Sequence, residues 1–430
     1  MTTGFRDTSG WRSSQSQVLA SLLPLYIVIF IGFVGYSLMI TVFTPMIIHN
    51  SNNMLSSDAS SAFRAGTLGV LLALYPLGQF LGSPVMGALS DRFGRKPVLI
   101  WSLVVTTLCY GLIVASLVLQ SLPLLLAASL LAGLAEANIV TAQGAIADLT
   151  TKEQRARFFG YIYMSVSLAY IVGPLLGGKL ADPSVLPWFN DATPFSAVLL
   201  MMVGITVATL LWFRETRHPL SAAGPIQVRH LFAGLIASLS NIRFRRFLIA
   251  NFLIYLAIFG FFRAYPMYLV QGFKLDVTEV SDFIAWVGVP IVLVNLGLTG
   301  FLTARLPVRT VTIGSALLSG VFFALIVLPT STGPLWPVLF FAGGAVALCL
   351  PACATMLSQA ADDDEQGEIM GSNQALQVAA EALSGFGAGL LAAIALILPL
   401  SVLAATAILA AMVVAIAVPG VQRKGNGPLA

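Results

Sequence analysis

Three ionisable side chains stand where apolar residues would be expected: Glu136, Arg263 and Glu381 each interrupt a long hydrophobic stretch near its middle. An ionisable group at the centre of a membrane helix costs about 2.5–3.5 kcal/mol on insertion scales, so a chain that carries one uses it for binding, proton transfer or pairing. Polar companions recur at helical spacing. Gln143 shares the face of Glu136 with Asn138 displaced by two residues, Gln374 and Gln377 precede Glu381, and Arg263 continues a stripe with Asn251, Tyr255 and Phe259. Burial in a low dielectric favours the neutral form of a carboxyl, so Glu136 could take up a proton from one side and release it when its surroundings open or a cation binds. It reads equally as a structural hydrogen-bonding or ion-pairing group, and Arg263, in the other half of the chain, is then its candidate partner. Arg263 itself reads as a ligand for an anionic substrate group or as a counter-ion. Tyr26, Tyr36, Tyr255, Tyr265, Phe259 and Phe262 could line a path for an amphipathic molecule, or serve as ordinary aromatic packing.

The elements that must position these groups are membrane helices. Of 430 residues 58% are hydrophobic and only 9% charged, whereas soluble domains carry about 25% charged residues. Such a chain cannot cover its surface with polar groups, and its main solvent is lipid. A span needs roughly 20 apolar residues. Twelve stretches qualify, at 22–48, 65–88, 98–119, 123–147, 158–180, 194–213, 246–270, 282–304, 310–329, 334–359, 369–394 and 398–419, though the last two could merge into one. Strict two-residue alternation, the mark of an outer-membrane barrel, is missing.

Lys and Arg fall on alternate connections, 18 of the 22 on one side, which places the N-terminus, the C-terminus and the long 214–245 segment in the cytoplasm. The polar first 20 residues show no signal-peptide pattern, so the first stretch reads as a retained helix. The net charge of +4 is thus a topology signal and implies no nucleic-acid partner. The organisation expected is six helices (1–213), a cytoplasmic linker (214–245) with a short amphipathic helix at 230–239, and six more helices (246–430). Cys109, Cys349 and Cys353 lie in apolar stretches and read as small packing residues, with no metal site. His49, His218 and His230 lie outside the stretches, and no nucleophile motif is present, so catalysis has no support. The run Gly173 to Leu180 nearly spells a phosphate-binding loop, but Leu180 replaces the metal-binding hydroxyl, which disfavours ATP-driven transport.

Between the second and third stretches the chain reads Gly87-Ala-Leu-Ser-Asp91-Arg92-Phe-Gly94-Arg95-Lys96. So tight a turn needs a glycine for positive φ. This run resembles the loop signature of the major facilitator superfamily. The resemblance implies an all-α membrane fold of two six-helix bundles, with Asp91, Arg95 and Asp148 forming a charge cluster that latches the outward-facing state. The equivalent run in the second half has Ala304 in place of the acid, so a latch there is weakened or absent. Gly160, Ala169, Gly173, Pro174, Gly177 and Gly178 resemble the antiporter signature of the same superfamily, a helix-packing device that the family associates with proton-coupled drug exporters. Asp148, Glu153, Arg155, Glu365, Gly367 and Gly371 look like the tetracycline/proton antiporter branch, although Ser129 stands where that family carries an arginine implicated in proton transfer. In this fold helices 1, 4, 7 and 10 line the central cavity, so Glu136 and Arg263 are expected to face the path from opposite bundles, with Glu381 behind its wall. The implied activity is alternating-access transport of a small amphipathic solute across a cytoplasmic membrane, with proton-coupled export favoured. Import of an anionic nutrient or metal chelate, and a non-transporting receptor, are the rivals. No cofactor beyond the coupling proton and no obligatory protein partner is expected, and the protein reads as a monomer.

Overall fold

The computed structural model describes residues 9–150, 152–216, 233–361 and 366–417. Arg6, His218, Arg229, His230, Glu365, Arg423 and Lys424 lie outside the described residues, as do the side chains of Glu153 and Arg155. A backbone in hydrocarbon must satisfy its own hydrogen bonds, so apolar sequence of this kind folds as helix. Among the described residues twelve helical spans result: Leu22–His49, Ser61–Phe93, Arg95–Val118, Leu122–Asp148, Gly160–Ala181, Thr193–Trp212, Ile242–Phe273, Val277–Arg305, Val308–Leu325, Leu335–Ala360, Ile369–Ile394 and Leu398–Ile416. They are called spans 1 to 12. A short turn at 395–397 separates spans 11 and 12, so they do not merge.

Several helices outrun the hydrophobic stretches that announce them. Span 2 starts at Ser61 because Ser60 caps it, accepting the Phe63 amide. Span 7 starts at Ile242, where Asn241 accepts the Arg243 amide, so Arg243, Arg245 and Arg246 belong to its first turns. His49 is the last residue of the helix of span 1. Ala233–Ser240 forms a short helix before span 7, tied to span 11 by a 2.9 Å hydrogen bond between the Ser238 and Ser372 hydroxyls, with Ile236 facing outward. Span 4 is broken into Leu122–Glu136 and Asn138–Asp148 by Ala137, whose ψ of 0° departs from helix. Span 8 carries a π-turn at Val294–Leu298.

Large apolar side chains such as Trp101, Leu108, Leu200, Trp212 and Leu296 point outward, as a lipid-facing surface requires. Spans 1–6 and 7–12 form two bundles that pack on each other at the end carrying the 50–60 and 182–192 connections. There span 2 crosses span 11 backbone to backbone: a Cβ on Gly69 would lie 2.6 Å from the Gly389 Cα, and one on Gly385 3.0 Å from the Ala73 amide. Span 5 meets span 8 at Gly178 and Ser281, and the Thr278 hydroxyl donates to Asp182 at 2.7 Å.

Candidate transport site

At mid-membrane the two bundles are joined by three side chains. Arg263 of span 7 pairs with Glu381 of span 11 at 3.2 Å, and Tyr36 of span 1 donates to the same Glu381 oxygen at 2.6 Å. The same Arg263 nitrogen also donates to the Tyr36 hydroxyl, and its second terminal nitrogen donates to the Phe259 carbonyl at 3.0 Å. Arg263 is 1% exposed and Glu381 6%. Charges so deep are tolerable only when paired and hydrogen-bonded. Both members of the pair belong to the second bundle, while Tyr36 belongs to the first. Arg263 therefore serves a carboxylate, but the carboxylate is Glu381 and not Glu136.

Glu136 sits elsewhere. It is 1% exposed, the last residue of the first helical segment of span 4, and it faces spans 1 and 2 rather than an opening between the bundles. The Tyr75 hydroxyl donates to one of its oxygens, while the other has no hydrogen-bond partner among the described residues. The approach is made possible by Gly133: a Cβ there would overlap the Tyr75 carbonyl, so spans 2 and 4 cross in direct backbone contact. The rings of Tyr75 and Tyr36 stack at 5.0 Å, linking the surroundings of Glu136 to those of Glu381.

The remaining polar candidates divide. Asn251 donates to Asn373 at 2.9 Å and to the Cys353 carbonyl at 3.3 Å, and Asn373 donates to the Tyr255 hydroxyl at 2.7 Å. This is a network inside the second bundle, joining spans 7, 10 and 11. Asn138 is buried with its side-chain oxygen unpartnered. Gln143 and Gln377 are partly exposed. Aromatic rings follow the seam of spans 1 and 5, where Tyr26 meets Tyr161 and Phe33 meets Tyr170, and Tyr170 in turn meets Phe262 of span 7. Cys109, Cys349 and Cys353 are free and buried.

At the turn between spans 2 and 3, Gly94 adopts φ 96°, which permits one helix to end at Phe93 and the next to start at Arg95. Arg95 is held by Asp91 at 2.9 Å, by Asp148 at 2.9 Å and by the Ser90 hydroxyl at 2.6 Å. Its guanidinium lies flush on Gly144. Gly87 is loosely packed, 3.8 Å from Val140 by its would-be Cβ, and Arg92 lies over the neighbouring Phe93 ring. A residue not singled out from the sequence completes the cluster: Glu215 accepts the backbone amides of Arg95 at 2.9 Å and Lys96 at 3.0 Å, capping span 3 from the segment after span 6. In the second half Arg305 lies over Phe301 and Arg309 donates to the Ala415 carbonyl, with Ala304 offering no carboxylate.

The glycines of span 5 face different neighbours. Gly173 and Gly177 lie against Val34, Ser37 and Leu38 of span 1, Gly178 lies against Ser281 of the other bundle, and Pro174 is inside the helix. Among the described residues nothing lies within 4 Å of a Cβ at Gly160, so close packing does not explain it. Sequence reasoning also passed over Tyr75, Asn373 and the crossing of spans 2 and 11, although Ala65, Gly69 and Ala73, with Gly385 and Gly389, show the small-residue spacing of close helix pairs.

Comparison with known proteins places this arrangement. The tetracycline resistance protein of class C from Escherichia coli is 31% identical over 316 residues, covering 73% of this chain and 76% of that protein. Multidrug resistance protein 2 of Bacillus subtilis is 29% identical over 204 residues, 45% of each chain. Among solved structures, the human organic anion transporter MFSD10 superposes with a TM-score of 0.68 at 19% identity, over 92% of this chain and 99% of that one. A D-xylose–proton symporter superposes with a TM-score of 0.73 at 15% identity, over 93% and 98%. The family model of the Major Facilitator Superfamily matches residues 25–385 and 247–428. With two packed six-helix bundles, a charged inter-bundle contact at mid-membrane and relatives that cover most of its length, the chain is a secondary transporter, not an enzyme, and belongs to the Major Facilitator Superfamily.

Proposed function

We propose that this transporter exports a small amphipathic compound in exchange for protons, and that Glu381 is the carboxylate whose protonation frees the two bundles to move. The observation that carries this reading is the Arg263–Glu381 pair with Tyr36 bound to both. A proton arriving at Glu381 converts its carboxylate to a neutral acid, removes the attraction to Arg263 and weakens the Tyr36 hydrogen bond. The contact between bundles at mid-membrane is then weaker and the access change is favoured. The aromatic seam of spans 1 and 5 leads toward this point and suits the flat apolar face of an amphipathic solute. The relatives named for tetracycline and multidrug resistance support export and a drug-like substrate.

The protein would act as a monomer in the cytoplasmic membrane, both termini inside, with the proton as coupling ion and no other cofactor. Import of an anionic nutrient or metal chelate rested on a free Arg263, and the charge of that residue is already met by Glu381. Accumulation of labelled candidate compounds by expressing cells decides the direction. Export predicts low accumulation that rises on adding a proton uncoupler, and no rise in cells carrying Glu381→Gln beyond their already raised level. Accumulation above that of control cells, collapsing with the uncoupler, would establish import instead.

A further inference from the structure

The first turns of span 7 carry two cations that no described residue neutralises. From Ala233 to Ala250 the only ionisable side chains are Arg243, Arg245 and Arg246. Arg243 is engaged: it donates to the Ala360 carbonyl at the end of span 10, at 2.6 Å, and lies over the Phe244 ring. Arg245 and Arg246 are exposed, and among the described residues neither has an ion pair or a side-chain hydrogen bond. They stand beside the helix's first turn, where the backbone dipole is positive, which adds to the cost of leaving them without an anion.

The neighbours of the two arginines say which medium supplies the anion. Ile242, Arg245, Arg246 and Ile249 recur at i, i+3, i+4 and i+7, which is one face of a helix. All four are exposed, the isoleucines by 63% and 45%, while Phe244, Phe247 and Leu248 on the other side are buried. Ile236, on the short helix just before span 7, is 62% exposed as well. Outward isoleucines on both sides of the arginines set them against lipid and not in a water-filled opening. Depth agrees. The helix has 32 residues, a length of about 48 Å against about 30 Å of hydrocarbon, so its first turns reach the headgroup layer. We propose that Ile242, Arg245, Arg246 and Ile249, with Ile236 beside them, are a docking surface for an anionic phospholipid.

Charge complementarity selects the headgroup. Two guanidinium groups suit a phosphate, whose oxygens accept paired N–H bonds from a planar fork. The segment from Ala233 to Ala250 has no carboxylate to receive an ammonium headgroup, so a lipid of net negative charge fits best. Its acyl chains then cover the isoleucines. The same turn shows what the lipid steadies. Arg243 holds the end of span 10, and Ser238 of the preceding helix holds Ser372 of span 11. Two turns deeper, Asn251 joins the same three spans through the Cys353 carbonyl and Asn373. A headgroup fixed at the start of span 7 therefore fixes three helix ends of the second bundle, including those of the helices that carry Arg263 and Glu381. The surface lies apart from that pair and does not depend on the direction of transport.

Thermal unfolding of the purified full-length protein in a neutral detergent tests this. One arm titrates dioleoyl phosphatidylglycerol, a second the phosphatidylcholine with the same chains, and a third soluble glycerol phosphate. A ligand that binds only the folded state raises the midpoint. The wild type is expected to respond to phosphatidylglycerol at lower concentration than to phosphatidylcholine, and not to glycerol phosphate. Arg245→Gln with Arg246→Gln raises the half-saturating phosphatidylglycerol concentration by about thirtyfold, the effect of two cations at a membrane surface. Lys179→Gln with Lys274→Gln removes the same charge from the opposite end of the molecule and keeps the wild-type response. Should the arginine pair fail to fold, Arg246→Gln alone is expected to weaken the response about fivefold. Equal wild-type responses to the two lipids, an undiminished response in the arginine variants, or an equal loss in the lysine pair overturns the proposal. A midpoint raised as far by glycerol phosphate also overturns it, since the ligand is then a free anion. The export reading stands or falls separately, on the uncoupler experiment.

Discussion

Arg263 and Glu381 are 118 residues apart in sequence and 3.2 Å apart in space, and Tyr36 of the opposite bundle hydrogen-bonds to both. The pair is internal to one bundle, so its charges cancel whether or not the bundles move. What changes when they part is the tyrosine. Glu381 and Arg263 then both lose their hydrogen bond to it.

Removing one partner of this pair strands the other in the membrane interior. Glu381→Gln is expected to destabilise the protein by about 3–5 kcal/mol, because a buried cation is left without its anion. Adding Arg263→Gln should restore most of that loss. Thermal unfolding of the two single variants and the double measures it, and strict additivity of the single losses would show that the two groups do not interact energetically.

The cluster around Arg95 is expected to bias one conformation without touching solute. Asp91→Asn and Arg95→Ala are expected to lower transport while leaving a folded protein, since a few kcal/mol removed from one state displaces a poised equilibrium. Glu215→Ala should act in the same direction, losing two capping hydrogen bonds worth about 1 kcal/mol together. Transport assays and expression levels of the three variants are the check. Wild-type transport in all of them would remove the latch.

Gly389 permits the backbones of spans 2 and 11 to touch. Gly389→Leu should hold that end of the molecule apart, because the added side chain falls on Gly69 and the Ala65 carbonyl. A cysteine at position 281, buried against Gly178 in the closed arrangement, would report it by faster modification with a water-soluble thiol reagent, and the three natural cysteines are buried. Unchanged labelling would mean that closure at this end does not depend on the crossing.

Asp182 lies outside the spans and accepts hydrogen bonds from the Thr278 hydroxyl and the Ser184 amide, chiefly the former, which hold its carboxyl below the ordinary carboxylate range. A lowered value means that the contact is fully formed above the ordinary carboxylate pH of about 3.9 and is lost only as pH falls through the lowered value. The Thr278–Asp182 contact is therefore constant between about pH 5 and 8. Asp182→Asn should leave the pH profile of transport unchanged over that interval. A displaced profile would assign part of the proton dependence to this end of the molecule.

Twelve spans were legible in the sequence because hydrocarbon admits few alternatives: a backbone that cannot reach water must be helical, and about 20 apolar residues are needed to cross. The charge cluster of Asp91, Arg95 and Asp148 was expected from the family resemblance alone: the Gly94 turn brings Asp91 to Arg95, but Asp148 comes from the far end of span 4, and only the packed helices bring it in. Pairing in the interior was not. Glu136, Arg263 and Glu381 announced themselves by the cost of their positions, but spacing along one helix says nothing of the side chain that comes from another. Arg263 was open to an anionic substrate group or a carboxylate, with Glu136 the candidate, and the structure pairs it with Glu381. That choice was made by close crossings, Gly133 on Tyr75 and Gly385 on Ala73, which turn Glu136 toward the inside of its own bundle and bring Glu381 within reach of spans 1 and 7. A missing side chain in one helix thus selects the ion pair of another, and only the packed structure contains both.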